Sequence, residues 1–267
     1  MWITIIFLLS ITVLTKYAMH ANAKLGKNEN LKDIVGGKAV PSNRRYPYQV
    51  SIQSSKKHFC GGSIISEKVI LTAAHCMDRT SANILTISAG VNDLKSVNAV
   101  QFPIKAIFMH QNYNSSTMVN DIALLLTFSP IKFNDKVNKI EIYNAHLEEG
   151  KVCKVTGWGS LGYKDKSPTA LQELTTTSLT IKRCLDMQPP GSVNHIYDDK
   201  HICVFKQNGM GLCAGDSGGP LTYDGQLVGI VSWGRNCASG YPDVFTRVFG
   251  YLEWINIILK IIEERNL

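Results

Sequence analysis

Three short segments of this 267-residue chain carry side chains suited to acyl transfer by a hydroxyl. That chemistry needs a nucleophile, a base within hydrogen-bond reach, and a group that orients the base. Thr72-Ala73-Ala74-His75-Cys76 sets an imidazole beside a cysteine able to lock its backbone. Asn120-Asp121-Ile122-Ala123-Leu124-Leu125 puts a carboxylate directly before an apolar run. Gly215-Asp216-Ser217-Gly218-Gly219-Pro220 holds a serine among glycines, whose missing side chains let backbone approach a ligand and expose amide hydrogens. Singly, a histidine next to a cysteine or an aspartate before a strand has a plain structural reading. Together, in the order His, Asp, Ser, the three point to nucleophilic catalysis.

Such groups need a rigid frame. Short apolar, β-branched runs at 48–52, 63–71, 84–89, 122–126, 151–156 and 227–233 are separated by Gly, Pro, Asn and Ser. This spacing predicts strands of an all-β barrel or sandwich. Beyond Tyr251, Leu252, Ile255, Ile258, Leu259 and Ile262 recur at helical spacing, which predicts a C-terminal amphipathic helix. No solenoid or propeller period is present.

The ends and the bulk composition bound the setting. Residues 2–14 are almost wholly apolar and Ala21-Asn22-Ala23 follows, so 1–23 reads as a secretory signal. The run is shorter than the roughly 20 residues that cross a bilayer, against the alternative of a membrane anchor. Residues 24–33 have the composition of a linker or pro-segment, leaving 34–267 as the working domain. Seven cysteines in an exported chain argue for disulfides, and no C-x-x-C pair suggests a metal knuckle. The formal charge is +7; without residues 1–33 there are 24 basic against 19 acidic residues, or +5. The basic residues are scattered, which argues for a solvated surface rather than nucleic-acid binding.

Those three segments, with Ile34-Val35-Gly36-Gly37, Cys60-Gly61-Gly62-Ser63, Gly157-Trp158-Gly159 and Ser232-Trp233-Gly234, resemble the chymotrypsin/trypsin family of serine proteases over 34–258. The resemblance implies two six-stranded antiparallel Greek-key barrels with a C-terminal helix and a site in the cleft between the barrels. It implies that His75 takes the proton of Ser217 and returns it to the leaving amine, while Asp121 fixes the tautomer and stabilises the cation. The amides of Gly215 and Ser217 would form an oxyanion hole. Ser232 would bond Asp121, and the stretch Ser232, Trp233, Gly234 would bind substrate, Gly234 as an added strand.

The resemblance carries further expectations. Activation would create an N-terminus at Ile34 whose ammonium pairs with Asp216; here Asp33, after Lys32, stands where the family has Lys or Arg. An unusual activator or a trimming step is therefore expected. Bridges Cys60–Cys76, Cys184–Cys203 and Cys213–Cys237 are implied, and Tyr223 at the usual partner position leaves Cys153 a free thiol. Gly211 would form the base of the specificity pocket and Leu212 would add apolar lining, with Asp243 replacing a glycine on its wall. That combination implies preference for Phe, Tyr and Leu with some acceptance of Lys and Arg, unless Asp243 turns away. Met118 would shape the adjoining subsite.

Asn114-Ser115-Ser116 is a glycosylation sequon. Residues 89–99 hold Asp93 as their single acid, so no metal is expected, nor any cofactor. Expected partners are protein and peptide substrates and proteinaceous inhibitors; neither nucleic acid nor membrane is expected, and the chain is expected to be secreted and monomeric. The competing reading is a secreted binding protein that keeps the fold without turnover.

Overall fold

Strands of four to ten residues that bury at least one face can hide both face and edges by closing on themselves. The computed structural model describes residues 34–192 and 195–267 and shows two such closures. The expected signal, the pro-segment and Asp33 lie outside the described residues.

The first barrel is built from β2 (Gln49–Ser54), β3 (Lys57–Ile64), β4 (Val69–Thr72), β5 (Leu85–Ala89), β6 (Val100–Met109) and β7 (Ala123–Thr127). Its order is β2-β3-β4-β7-β6-β5, all antiparallel, with β5 pairing back to β2. Every residue of β7 is buried, as is every residue of β4, so Asp121 and His75 hang from the two best-anchored strands of this barrel. Each large aliphatic side chain buried there contributes roughly 1.5–3 kcal/mol.

The second barrel uses β8 (Val152–Gly157), β9 (Gln172–Leu179), β10 (His201–Phe205), β11 (Pro220–Tyr223), β12 (Gln226–Trp233) and β13 (Asp243–Arg247). The order β9-β10-β13-β12-β11-β8 closes through the β8–β9 pairing. A two-residue strand, β1 (Lys38–Ala39), pairs with the first half of β9 and ties the N-terminal stretch to this barrel. Buried Glu173 of β9 secures it further, taking Arg44 Nη1 at 2.6 Å and the Tyr46 hydroxyl.

The helix at the C-terminus, α2 (Leu252–Glu264), follows a short α1 (Ile181–Asp186) earlier in the chain. Trp254, Ile255 and Ile262 of α2 join the apolar cluster of Ile64, Leu71 and Leu124. No described helix is long and apolar enough to cross a membrane.

The structure corrects one element. The run at 63–71 is two strands, because Ile65 N–H bonds Val69 O at 3.0 Å and reverses the chain through Ser66 to Lys68. The disulfides join Cys60 to Cys76, Cys184 to Cys203 and Cys213 to Cys237. Cys153 on β8 is unpaired and buried, and burial pushes its thiol up to about 12. Unfolding in denaturant without reductant is expected to release one thiol per chain, read by thiol titration; zero or three would contradict the pairing.

Candidate active site

His75 follows β4 by three residues. Its neighbour Cys76 is bridged to Cys60 on β3, and Met77 N–H bonds Ala74 O at 2.8 Å, so the backbone on both sides of the imidazole is held. Asp121 lies two residues before β7 and is fully buried. Its Oδ1 accepts the His75 backbone N–H at 2.8 Å, and its Oδ2 faces His75 Nδ1 at 2.8 Å. Ser232 on β12 donates its hydroxyl to the same Oδ2 at 2.6 Å, and Thr246 on β13 donates to the Asp121 backbone O at 2.8 Å. One carboxylate from the first barrel is thus tied to the second barrel by two hydroxyls. With the carboxylate ionised, Nδ1 carries the proton and Nε2 is left with a lone pair. Oriented this way, Nε2 is placed to accept a hydrogen bond.

Ser217 sits in the turn between the Cys213–Cys237 bridge and β11. Gly61 N–H of β3 bonds the Ser217 carbonyl at 2.7 Å, which docks the turn against the first barrel. Gly218 has φ +76°, and a Cβ there would collide with Thr72 Oγ1 and stand 3.2 Å from Ala73 N. Only glycine lets the serine turn press onto the end of β4, three residues short of His75. Among the described residues no hydrogen bond yet links the Ser217 hydroxyl to the imidazole; Nε2 lies 3.7 Å from Cys76 Sγ. Catalytic hydrogen bonds are commonly long before substrate closes the site.

The amides beside Ser217 are oriented by their peptide partners. Ala214 O accepts Ser160 N–H at 2.8 Å, and Asp216 O accepts Gly219 N–H at 3.0 Å. In a trans peptide the N–H points opposite the C=O. The Gly215 and Ser217 N–H groups therefore point away from those partners, and among the described residues neither has an acceptor. Gly215 holds φ +98°, and its carbonyl lies 2.9 Å from His58 Nε2.

Asp216 points the other way, into the protein. It is buried, with Gly159 N–H on Oδ1 at 2.9 Å and Cys213 N–H on Oδ2 at 3.1 Å. Burial pushes its pKa up to about 6, the two amides opposing. Among the described residues no cation lies within 4.0 Å of it. Ile34 is fully buried in the apolar cluster that holds Leu212, and the Val35 carbonyl accepts Gly211 N–H at 3.0 Å.

Beside Ser217 opens a cavity of about 340 Å³, lined by Leu212, Val231, Ser232, Trp233, Gly234 and the Cys213–Cys237 bridge. Tyr163, largely exposed, stands at its mouth. Asp243 is not in the lining. It packs directly behind it, with Oδ2 2.6 Å from where a Gly211 Cβ would stand and Oδ1 2.5 Å from a Gly234 Cβ. Leu212 N–H bonds its Oδ2 at 3.0 Å, and burial pushes its pKa up to about 7.

Two further sequence-derived positions lie apart from this cavity. Met118 is in the turn before Asp121 with φ +57°. Asn114 is exposed, its side chain turned back onto the backbone N–H groups of Ser116 and Thr117 at 2.9 and 3.1 Å. Cys60, His75 and Cys76 bring three ligand-type atoms within 4.8 Å, but both sulfurs are spent in one disulfide and offer no thiolate to a metal. His58 and Tyr163 lie outside every motif of the sequence, and Thr246, which ends the family-like stretch 242–246, shows nothing there of its bond to Asp121.

Comparison with known proteins agrees with this geometry. The sequence model of the trypsin family, described as "Trypsin", matches residues 34–255. Chymotrypsin-2 of Vespa crabro is 38% identical over 224 residues, covering 83% of this chain and 98% of that protein. Trypsin delta of Drosophila melanogaster is 38% identical over 224 residues, covering 83% and 87%. Brachyurin of Leptuca pugilator is 36% identical over 232 residues, covering 83% and 96%.

Proposed function

The chain belongs to the trypsin family of serine proteases, and from that premise we propose a secreted endopeptidase that cleaves through an acyl-enzyme on Ser217. The observation that carries the reading is the committed imidazole: Asp121 Oδ2 accepts a hydrogen bond from His75 Nδ1–H, so Nε2 is free to accept a proton from a hydroxyl. His75 removes the Ser217 proton as the oxygen attacks the scissile carbonyl. The carbonyl oxygen, now negative, is received by the N–H groups of Gly215 and Ser217, each worth roughly 3 kcal/mol in the transition state. His75 then protonates the leaving amine, and water repeats the sequence to release the acid. Asp121 balances the imidazolium at each stage.

Activation follows from Asp216. A buried carboxylate held by two amides favours a cationic partner. Cleavage before Ile34 supplies one in the new ammonium, and the anchoring of Val35 on Gly211 supports that path. Residues 1–23 serve as the export signal and 24–33 as the pro-segment, with Asp33 requiring an activator that is not simply tryptic.

The pocket fits Phe, Tyr and Leu through Leu212, Val231 and the bridge, and Asp243 behind two glycines adds a weaker attraction for Lys and Arg. A peptide library incubated with chain cut to begin at Ile34 tests this. Cleavage after Phe, Tyr and Leu is expected first, with Lys and Arg second; strict Lys/Arg cleavage, or none, contradicts it. Asp243→Asn is expected to lower Lys/Arg cleavage about 10- to 100-fold, the worth of a charge-assisted bond, and to leave Phe cleavage within threefold. The sign with pH is fixed by the raised pKa near 7: the carboxyl is neutral below it and anionic above. The Arg-to-Phe ratio of kcat/KM should therefore climb from pH 6 to pH 8, and a flat ratio excludes Asp243 from substrate contact.

A further inference from the structure

We propose, resting on acyl transfer at Ser217 as given above, that Arg235 selects substrates with an acidic side chain two or three residues before the one held in the cavity. Trp233, Gly234, Asn236 and Cys237 all line that cavity, so Arg235 is carried on its rim. Its guanidinium carbon lies 5.7 Å from the centre of the Trp233 ring, and its Nε donates to Gln188 Oε1 at 2.7 Å. Gln188 and Trp233 are both uncharged. They fix where the cation stands without offsetting it.

The mounting is rigid on both sides. Gln188 is 7% exposed and its N–H bonds Leu185 O at 3.0 Å, while α1 is bridged through Cys184 to Cys203 on β10. Trp233 packs against the same bridge and against Val244. Within the 235–239 turn, Ser239 Oγ donates to the Arg235 carbonyl at 3.0 Å, and Cys237 is bridged to Cys213. A side chain held this way has less freedom left to lose when a carboxylate binds it.

The edge of β12 leads a substrate to this charge. Gly218 N–H bonds Val231 O and Val231 N–H bonds Gly219 O, each at 2.9 Å, so the chain beside Ser217 lies along that edge. It continues into β11, which is antiparallel to β12 and begins at Pro220 opposite Ile230, while β13 occupies the other edge. Among the described residues no strand covers the first edge beyond Val231. A peptide that acylates Ser217 and extends this antiparallel line sends its N-terminal residues towards Gly234 and Arg235. With the residue in the cavity level with Ser232, the second and third residues before it stand level with Gly234 and Arg235. A carboxylate on either is drawn to the guanidinium, and an ammonium is repelled. Were Arg235 only a cover for the indole, substrate charge there would make no difference.

The test uses chain beginning at Ile34 and Phe peptides carrying Glu, Gln or Lys at those two positions. The value of kcat/KM is measured at low salt and at about 1 M, where screening acts within about 3 Å. Glu is expected to exceed Gln about 3- to 10-fold, and Lys by more. That range lies between an exposed ion pair and a hydrogen bond to a charged group. Arg235→Gln is expected to bring Glu and Lys within twofold, and high salt to halve the wild-type ratio at least. Should R235Q fail to fold, the salt response alone decides. A wild-type Glu-to-Lys ratio under twofold overturns the inference, as does one that survives in folded R235Q or at high salt. The Gln peptide separates the two readings. Cut after Phe while Glu and Lys match, it leaves the catalytic reading standing and removes this one; left uncut, it takes down the catalytic reading, and this inference with it.

Discussion

Ser217→Ala is expected to lower kcat about 10⁵- to 10⁶-fold, leave KM within threefold and leave the fold intact. The size follows from what the hydroxyl does. Without it no acyl-enzyme forms, and only the oriented amides and substrate binding remain, which in triad enzymes retain about 10³–10⁴-fold over water. The unchanged fold follows from what the hydroxyl does not do. The turn is set by backbone bonds, from Gly61 N–H to Ser217 O and from Gly219 N–H to Asp216 O, and among the described residues the side-chain oxygen bonds nothing. Steady-state kinetics beside a thermal melt checks both halves. A variant keeping a hundredth of wild-type kcat removes Ser217 from the nucleophile's place.

Asp121→Asn should cost about 10⁴-fold in kcat at neutral pH, the magnitude found for the triad of this family. Three donors converge on the carboxylate: the His75 amide on Oδ1, and His75 Nδ1 with the Ser232 hydroxyl on Oδ2. An amide of the same shape must present NH₂ to one of these sides. Facing Nδ1, it forces the imidazole proton onto Nε2, where it blocks acceptance from Ser217. Facing the His75 amide, it sets donor against donor in a fully buried place. In either arrangement the negative charge that stabilises imidazolium is gone. The change at about 1.36 kcal/mol per decade amounts to some 5 kcal/mol of transition-state stabilisation. Kinetics on the Phe peptide reads it, and a loss under tenfold would show that Asp121 does not orient the base.

The parts of the fold that the sequence makes legible are those whose pattern is local. The run 227–233 declares itself through a near-continuous apolar, β-branched stretch and the helix from Leu252 through apolar residues at period 3.6, and both form nearly as read. The run 63–71 misleads because Ile64 and Ile65 continue the apolar sequence into a polar reversal at Ser66 to Lys68. β6, the longest strand, is obscured by Pro103 and by alternating exposed residues. α1, at six residues, is too short to show a period.

The site divides in the same way. His75, Asp121 and Ser217 stand out because each lies in a segment whose residue types suit chemistry. Thr246 does not, since its bond to the Asp121 carbonyl depends on β13 lying against the residues before β7, a contact that no stretch of sequence displays. Asp243 could be placed near the pocket by resemblance, but its burial behind Gly211 and Gly234 depends on three segments brought together by folding.

The central claim is that Ser217 is an activated nucleophile once the chain begins at Ile34. Labelling with a fluorophosphonate, followed by mass mapping of the modified peptide, tests it most directly. The expected result is one adduct on Ser217 in chain starting at Ile34, strongly reduced in Asp121→Asn and in uncut chain. Correctly cut, folded protein that takes no label, or takes it on another residue, would contradict the account.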